Sequence, residues 1–319
     1  MKPIARVDSP AGVFAVAVAE ALGIVPAKAF TVARAHVRTV ARAHLLTLAL
    51  ASALAVALLP PAACAEADWV SLAEGADLGT FRGDWPSPAG DSTIVVLRID
   101  PEQWALRLFC ASESADQSRM TARQWCTRYG LVAAINAGMF ATDHTTHVGY
   151  LRAGAHINNS RCNRYQSVAA FCPRAETVDS FRMFDLDATS FESILERYAC
   201  VVQNLRLIKR PGENRWPQQQ KAWSEAALGE DTAGRVLLIF SRSPYSMHDF
   251  NAILLSLPIE LVCAQHLEGG PEAQLVIQFP GHEREYVGSY ETAFMANDLN
   301  RQAWAIPNVF GVARRDRGE

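Results

Sequence analysis

From residue 93 onward, apolar positions come in short β-length runs set off by Gly, Pro, Asn and Asp. Residues 93–100 and 104–110 are β-branched or alternating and flank Pro101-Glu102-Gln103, the pattern of a hairpin. Further strands are predicted at 131–135, 147–152, 167–171, 181–184 and 201–208, the last carrying Gln203 and Asn204 at its centre. Residues 225–229 and 235–240 read as strands paired across a turn at 230–234, and 259–264, 275–279, 286–290 and 304–311 complete the set. Three stretches have helical character. Residues 121–129 stop at Gly130, 189–198 form a second, and 247–257 follow the capping residue Ser246, with Asp249 at N3, and end at Pro258. Residues 66–92 read as one short strand followed by loops, and 209–224 as a surface excursion. With no internal repeat, this predicts a single α+β domain: a mixed β-sheet core flanked by a few helices, spanning 66–319 with its core at about 90–312.

The first 65 residues follow a different pattern. Arg34, Arg38 and Arg42 precede an apolar run at 45–59, which Pro60-Pro61 breaks before Ala62-Ala63-Cys64-Ala65. A positive region, a short apolar core and small residues describe a secretory signal peptide, behind an N-terminal extension. Cleavage after Ala65 predicts an exported protein, periplasmic or extracellular, without a stable membrane span. A lipoprotein anchored at Cys64 is the second choice.

Charge and cysteine content sharpen this. The chain has 319 residues and a net charge of -3, so it lacks the basic field that attracts nucleic acid. Of its seven cysteines, six remain after Cys64, an even number that suits disulfides in an oxidising compartment, with Cys162–Cys172 the best pair. No CxxC or zinc-finger spacing occurs, and no metal or cofactor is predicted, although Glu268, Glu272 and Asp298 are oxygen ligands of a kind a divalent cation accepts.

Candidate chemistry gathers in three polar knots, each after a predicted strand: Asn136-Ala137-Gly138-Met139-Phe140, Ser241-Arg242-Ser243-Pro244-Tyr245 and Glu268-Gly269-Gly270-Pro271-Glu272. Sites commonly form where loops leave a rigid sheet. Glu268 and Glu272 are the candidate catalytic pair, because glycoside cleavage needs one acid to protonate the leaving oxygen and a second carboxylate to activate or replace water. Their division of roles is open, and Asp249 competes but reads better as a cap. The candidate substrate-binding residues are Asn136, Gly138, Phe140, Arg161, Gln203, Asn204, Arg242, His248, Gly269 and Gly270. His266 precedes Glu268 by two, so both can face one side of a strand and His266 can tune the acid.

Taken in order, Ile135-Asn136-Ala137-Gly138-Met139-Phe140, the 202–208 strand, Ala227-Leu228-Gly229 with Gly234-Arg235-Val236-Leu237-Leu238, and Leu267-Glu268-Gly269-Gly270 resemble the phosphodiester glycosidase domain family. The resemblance implies hydrolysis of a sugar-1-phosphodiester outside the cytoplasmic membrane, with a carbohydrate or sugar phosphate as partner. Asn136, Gly138 and Phe140 match the family's Asn-x-Gly-x-Phe floor, and Gly269 and Gly270 its Gly-rich knot. Two departures mark a divergent branch. Glu268, Pro271 and Glu272 stand where the family has Asp, a third Gly and Ser, and Glu225-Ala226 stand where it tends to have Arg-Thr, with Arg242 or Arg161 as possible replacements. The alternative function is a catalytically inactive cell-envelope glycan-binding protein on the same fold.

Overall fold

The structure is a computed structural model that describes residues 69–315. The signal-peptide and Cys64 expectations lie outside the described residues. Three antiparallel sheets enclose one apolar core. Sheet I has eight strands in the order β1 (Trp69–Ala73), β2 (Ala76–Arg82), β3 (Thr93–Ile99), β14 (Val236–Tyr245), β13 (Trp223–Asp231), β15 (Leu261–Gly269), β11 (Arg206–Lys209) and β12 (Glu213–Asn214). Sheet II runs β17 (His282–Val287), β16 (Gln274–Phe279), β5 (Ala133–Asn136), β18 (Asn308–Arg314) and β4 (Trp104–Cys110). Sheet III runs β7 (His156–Asn159), β6 (Leu151–Ala153), β10 (Tyr198–Asn204), β8 (Ser167–Pro173) and β9 (Phe181–Asp185).

Alternation along the strands explains the layering. In β13, Ala226 and Leu228 enter the shared core, while Ala227 faces outward onto a helix-covered layer. Each sheet carries one helix on its outer face: α3 (Met247–Ser256) on sheet I, α1 (Ala122–Tyr129) on sheet II and α2 (Phe191–Arg197) on sheet III. The helix ends follow local chemistry. Thr121 and Gln124 form a reciprocal capping box, Gly130 closes α1 in the left-handed region, and the Ser246 hydroxyl accepts the Asp249 N–H at 3.1 Å. Such caps contribute about 1 kcal/mol each. The α+β class therefore stands.

Several local expectations are corrected. Residues 69–82 form a two-strand hairpin, not one strand and loops. The strands β3 and β4 do not pair; Pro101-Glu102-Gln103 carries the chain from sheet I to sheet II, where β4 pairs β18. The predicted 201–208 strand is two, broken at Leu205 as the chain leaves sheet III for sheet I. The knot at 268–272 is a further crossing: β15 ends at Gly269, a 3-10 turn covers Gly270–Glu272, and β16 begins in sheet II. Sheets I and III are clamped by Glu230, fully buried, which binds Arg182 at 2.7 Å, Arg210 at 2.7 Å and the Met183 N–H at 2.7 Å.

The Cys162–Cys172 pairing is also corrected. Cys162 is a free, exposed thiol in the loop before β8, and β8 carries Cys172 away from it at about 3.3 Å per residue. The nearest cysteine to Cys172 in the sheet is Cys200 on the neighbouring β10, which pairs with Phe171, and all six described cysteines are free.

Candidate active site

The crossing from β15 to β16 gathers four carboxylates and an imidazole. His266 stands opposite Ala227 in the pairing of β15 with β13, so it shares a face with Glu225, two residues earlier on β13. Its Nδ1 lies 2.5 Å from Glu225 Oε1, and Glu225 Oε2 accepts from the Trp223 indole at 2.6 Å. Both members of the pair are almost wholly buried. Burial alone would lower the His266 pKa, but the surrounding carboxylates, Glu225 first and then Glu268 and Glu291, together raise the imidazole. Burial raises Glu225, against the pull of His266.

Glu268 follows two residues later. It is half-buried, and its Oε1 accepts the Gly269 N–H at 3.1 Å. Burial, reinforced by Glu272 and Glu225 and opposed by His266, pushes its pKa up to about 8. Burial also raises Glu272, as does the nearby Glu291 charge, and burial raises Glu291. The paired glycines make this crowding possible. A side chain at Gly269 would meet the Trp223 ring at 2.6 Å. At Gly270, which has φ +64°, one would meet Glu291 Oε2 at 2.6 Å. Tyr165 completes the surroundings: burial raises its phenol, and so does the charge of Glu268.

A second layer of buried amides stands behind the carboxylates. Asn136 donates to the Glu272 carbonyl at 3.0 Å and accepts the Gln274 N–H at 2.7 Å, fixing the exit of the knot. Asn204 donates to the Ala137 carbonyl at 2.9 Å and accepts from His147 Nε2 at 3.1 Å, and His147 Nδ1 accepts the Gly149 N–H at 3.0 Å. Burial keeps His147 neutral. Gly138, with φ +147°, fits here because a Cβ would lie 2.2 Å from His147 Nε2. Gln203 fills all its slots, donating to the Asn163 and Tyr165 carbonyls at 3.1 and 2.7 Å and accepting from the Tyr150 and Asn163 N–H groups at 3.2 and 3.1 Å. It thereby sets the backbone of Tyr165.

The structure thus brings Glu268, Glu272, Gly269 and Gly270 together, with Asn136 in direct contact. Asn204, Gly138 and Gln203 are placed as supports whose polar groups are bound within the protein. Phe140 is half-buried, with its ring 5.9 Å from His144. Three residues stand apart. Arg161 is exposed in the loop before β8. His248 lies on α3 with Nδ1 2.6 Å from the Trp216 carbonyl. Ser241 pairs with Glu225, so Arg242, next along β14, faces the opposite side of the sheet. It binds Asp298 at 2.7 Å and lines a cleft of about 490 Å³ that does not contain Glu268. Neither Arg242 nor Arg161 therefore replaces the arginine missing at Glu225. Asp249 is a helix cap.

Sequence reasoning missed Glu291, Trp223 and Tyr165 as site residues, and met Glu225 only as a departure. The room required at Gly270 was the one signal of a neighbour such as Glu291, and it names no partner.

The family model for phosphodiester glycosidases matches residues 129–313, more than half of the chain. The chain belongs to the phosphodiester glycosidase family. The match contains the whole carboxylate cluster. Among solved structures, the fold resembles zebrafish N-acetylglucosamine-1-phosphodiester alpha-N-acetylglucosaminidase, whose catalytic domain is auto-inhibited by its pro-peptide. The TM-score is 0.55 at 14% identity, over 77% of this chain and 86% of that one. A hypothetical protein from Synechocystis gives the same TM-score, 0.55, at 14% identity over 81% of this chain and 65% of that one. This chain therefore spans just under two thirds of the Synechocystis protein. No curated protein matches significantly. Among the described residues no helix is long and apolar enough to cross a membrane.

Proposed function

We propose that this chain is an exported hydrolase that cleaves a glycosyl phosphodiester at the sugar C1–oxygen bond. The observation that carries the reading is Glu268, a half-buried carboxyl pushed up to about 8 at a strand end where other carboxylates meet. A group of that kind holds a proton at neutral pH and can deliver it to a leaving oxygen. Glu272 is the ionised partner that takes a proton from the attacking water. The proton from Glu268 goes to the departing phosphate oxygen as the C1–O bond breaks, and water supplies the new C1–OH. Water's other proton goes to Glu272, so the products are free sugar and a phosphomonoester. His266, which Glu225 raises, and a protonated Glu268 together reduce the negative charge of a cleft that must admit an anion. The chemistry as proposed needs side chains alone.

Full-length protein and its Glu268→Gln variant, assayed with a panel of sugar-1-phosphate diesters, test this. The expected result is release of free sugar by the wild type, about 10²-fold or more slower in the variant. Equal rates would remove Glu268 from the chemistry. The departure of the knot from the family pattern, with Glu268, Pro271 and Glu272 in place of Asp, Gly and Ser, favours one alternative: a glycan-binding protein without turnover. Saturable glycan binding with no product from any diester selects it.

A further inference from the structure

The four charged side chains that line a cavity of about 190 Å³ are all cations: Arg164, Arg206, Lys209 and Arg215. Tyr165 links this cavity to the carboxylate cluster. It lines this cavity and also lies within the electrostatic reach of Glu268. The backbone makes a second link, since Leu205, also in the lining, accepts the His266 N–H at 2.9 Å, and Arg206 stands opposite Gln265 in the pairing of β11 with β15.

Three of the cations are held in place from outside the lining. Arg206 binds Asp185 and Asp187 at 3.1 Å each, Lys209 binds Asp187 at 2.6 Å, and Arg215 binds Glu213 at 2.9 Å. Trp216 closes one side, its indole donating to the Arg206 carbonyl at 2.7 Å. Arg164 has no carboxylate partner among the described residues. Four cations against three carboxylates leave an uncompensated positive charge at the cavity. Guanidinium groups bind phosphate oxygens through paired, charge-assisted hydrogen bonds.

We propose that this cavity is the subsite for the substrate's phosphate group, with Arg164 as the specificity-determining residue and the sugar ring at Glu268. The proposal rests on the functional reading above and adds the binding site of the anionic half. The steady-state test compares a sugar-1-phosphodiester with an uncharged glycoside of the same sugar. Arg164→Gln should raise KM for the diester about tenfold and leave the uncharged glycoside unchanged. An equal effect on both substrates, or on neither, overturns the assignment. A second test needs no turnover: Trp216 fluorescence followed during titration with inorganic phosphate at constant ionic strength, with Trp216→Phe identifying the signal. A saturable response, weakened in Arg164→Gln, supports the subsite. A response that chloride reproduces, or that Arg164→Gln retains in full, overturns it. Phosphate binding without hydrolysis of any diester would sink the hydrolase reading and leave the subsite standing.

An independent observation carries a second inference. Cys200 is paired in register with Phe171, the next residue, Cys172, has φ +55°, and the nearby Cys200 thiol raises the Cys172 pKa. Cys172 also lines an open cleft of about 570 Å³ with Arg107, Arg174 and Arg315, so a reagent can reach it. We infer that Cys172 and Cys200 form a disulfide in an oxidising compartment. By exchange with a small-molecule disulfide, the two thiols become one S–S bond, and the oxidant is reduced to two thiols that carry away both protons and both electrons. Peptide mapping of the full chain, folded and treated with oxidised glutathione, should show Cys172 linked to Cys200. Alkylation of both as free thiols, or a link from either to Cys162 or Cys110, contradicts the inference.

Discussion

The carboxylate knot and the amide floor behind it lie on neighbouring strands and follow opposite rules. On the floor, Asn136, Gln203, Asn204 and His147 have their hydrogen bonds bound within the protein. At the knot, burial raises Glu268, Glu272 and Glu291, with Glu272 adding to the rise of Glu268 and Glu291 to that of Glu272, and Glu268 accepts from a neighbouring N–H. Satisfied groups fix geometry, and crowded unsatisfied ones store reactivity. Substitution on the floor should therefore cost stability, and substitution at the knot should cost rate.

The largest effect belongs to Glu268→Gln, the hundredfold or greater loss of turnover given above, with no loss of melting temperature at neutral pH. Stability should also separate the two proteins by pH. A raised folded-state pKa means that Glu268 stabilises the native protein fully below its ordinary value of 4.5 and loses that contribution as pH rises through about 8. Wild-type melting temperature should fall across that window more steeply than that of the variant; parallel curves would deny the raised pKa.

Asn204→Ala comes next. It strands His147 Nε2 and the Ala137 carbonyl and should cost about 1–3 kcal/mol in denaturant unfolding. A neutral result would make the floor dispensable and break the contrast. The pH–rate profile should be a bell, falling above about 8 as Glu268 ionises and falling on the acid side, above the ordinary glutamate range, as Glu272 is protonated. Arg242→Ala should have the smallest effect, with kcat/KM unchanged, because its guanidinium is bound by Asp298 and lines a cleft that does not contain Glu268. A loss of activity there would redraw the site.

Elements with local signals were legible in the sequence. The Thr121 and Ser246 caps, the glycine that ends α1, and the Glu-Gly-Gly-Pro-Glu knot all stand where their residue types require. Partner choice was not legible. Pro101-Glu102-Gln103 specifies a turn but not whether the next strand joins the same sheet, and packing across the core sends β4 to sheet II. The run at 201–208 is apolar throughout apart from its amides and an arginine, so nothing marks Leu205 as the point where the chain changes sheets. Glu268 and Glu272 were readable from the knot. Glu225 acquires meaning only through His266, 41 residues away, and Glu291 only through the space left by Gly270.

The central claim is that Glu268 holds its proton at neutral pH. It is tested most directly by carboxyl-carbon NMR titration of glutamate-labelled full-length protein beside Glu268→Gln. The account predicts one carboxyl resonance titrating near 8 in the wild type and absent from the variant. If the resonance lost in Glu268→Gln titrates in the ordinary glutamate range, Glu268 is an ordinary carboxylate and the account of this site is wrong.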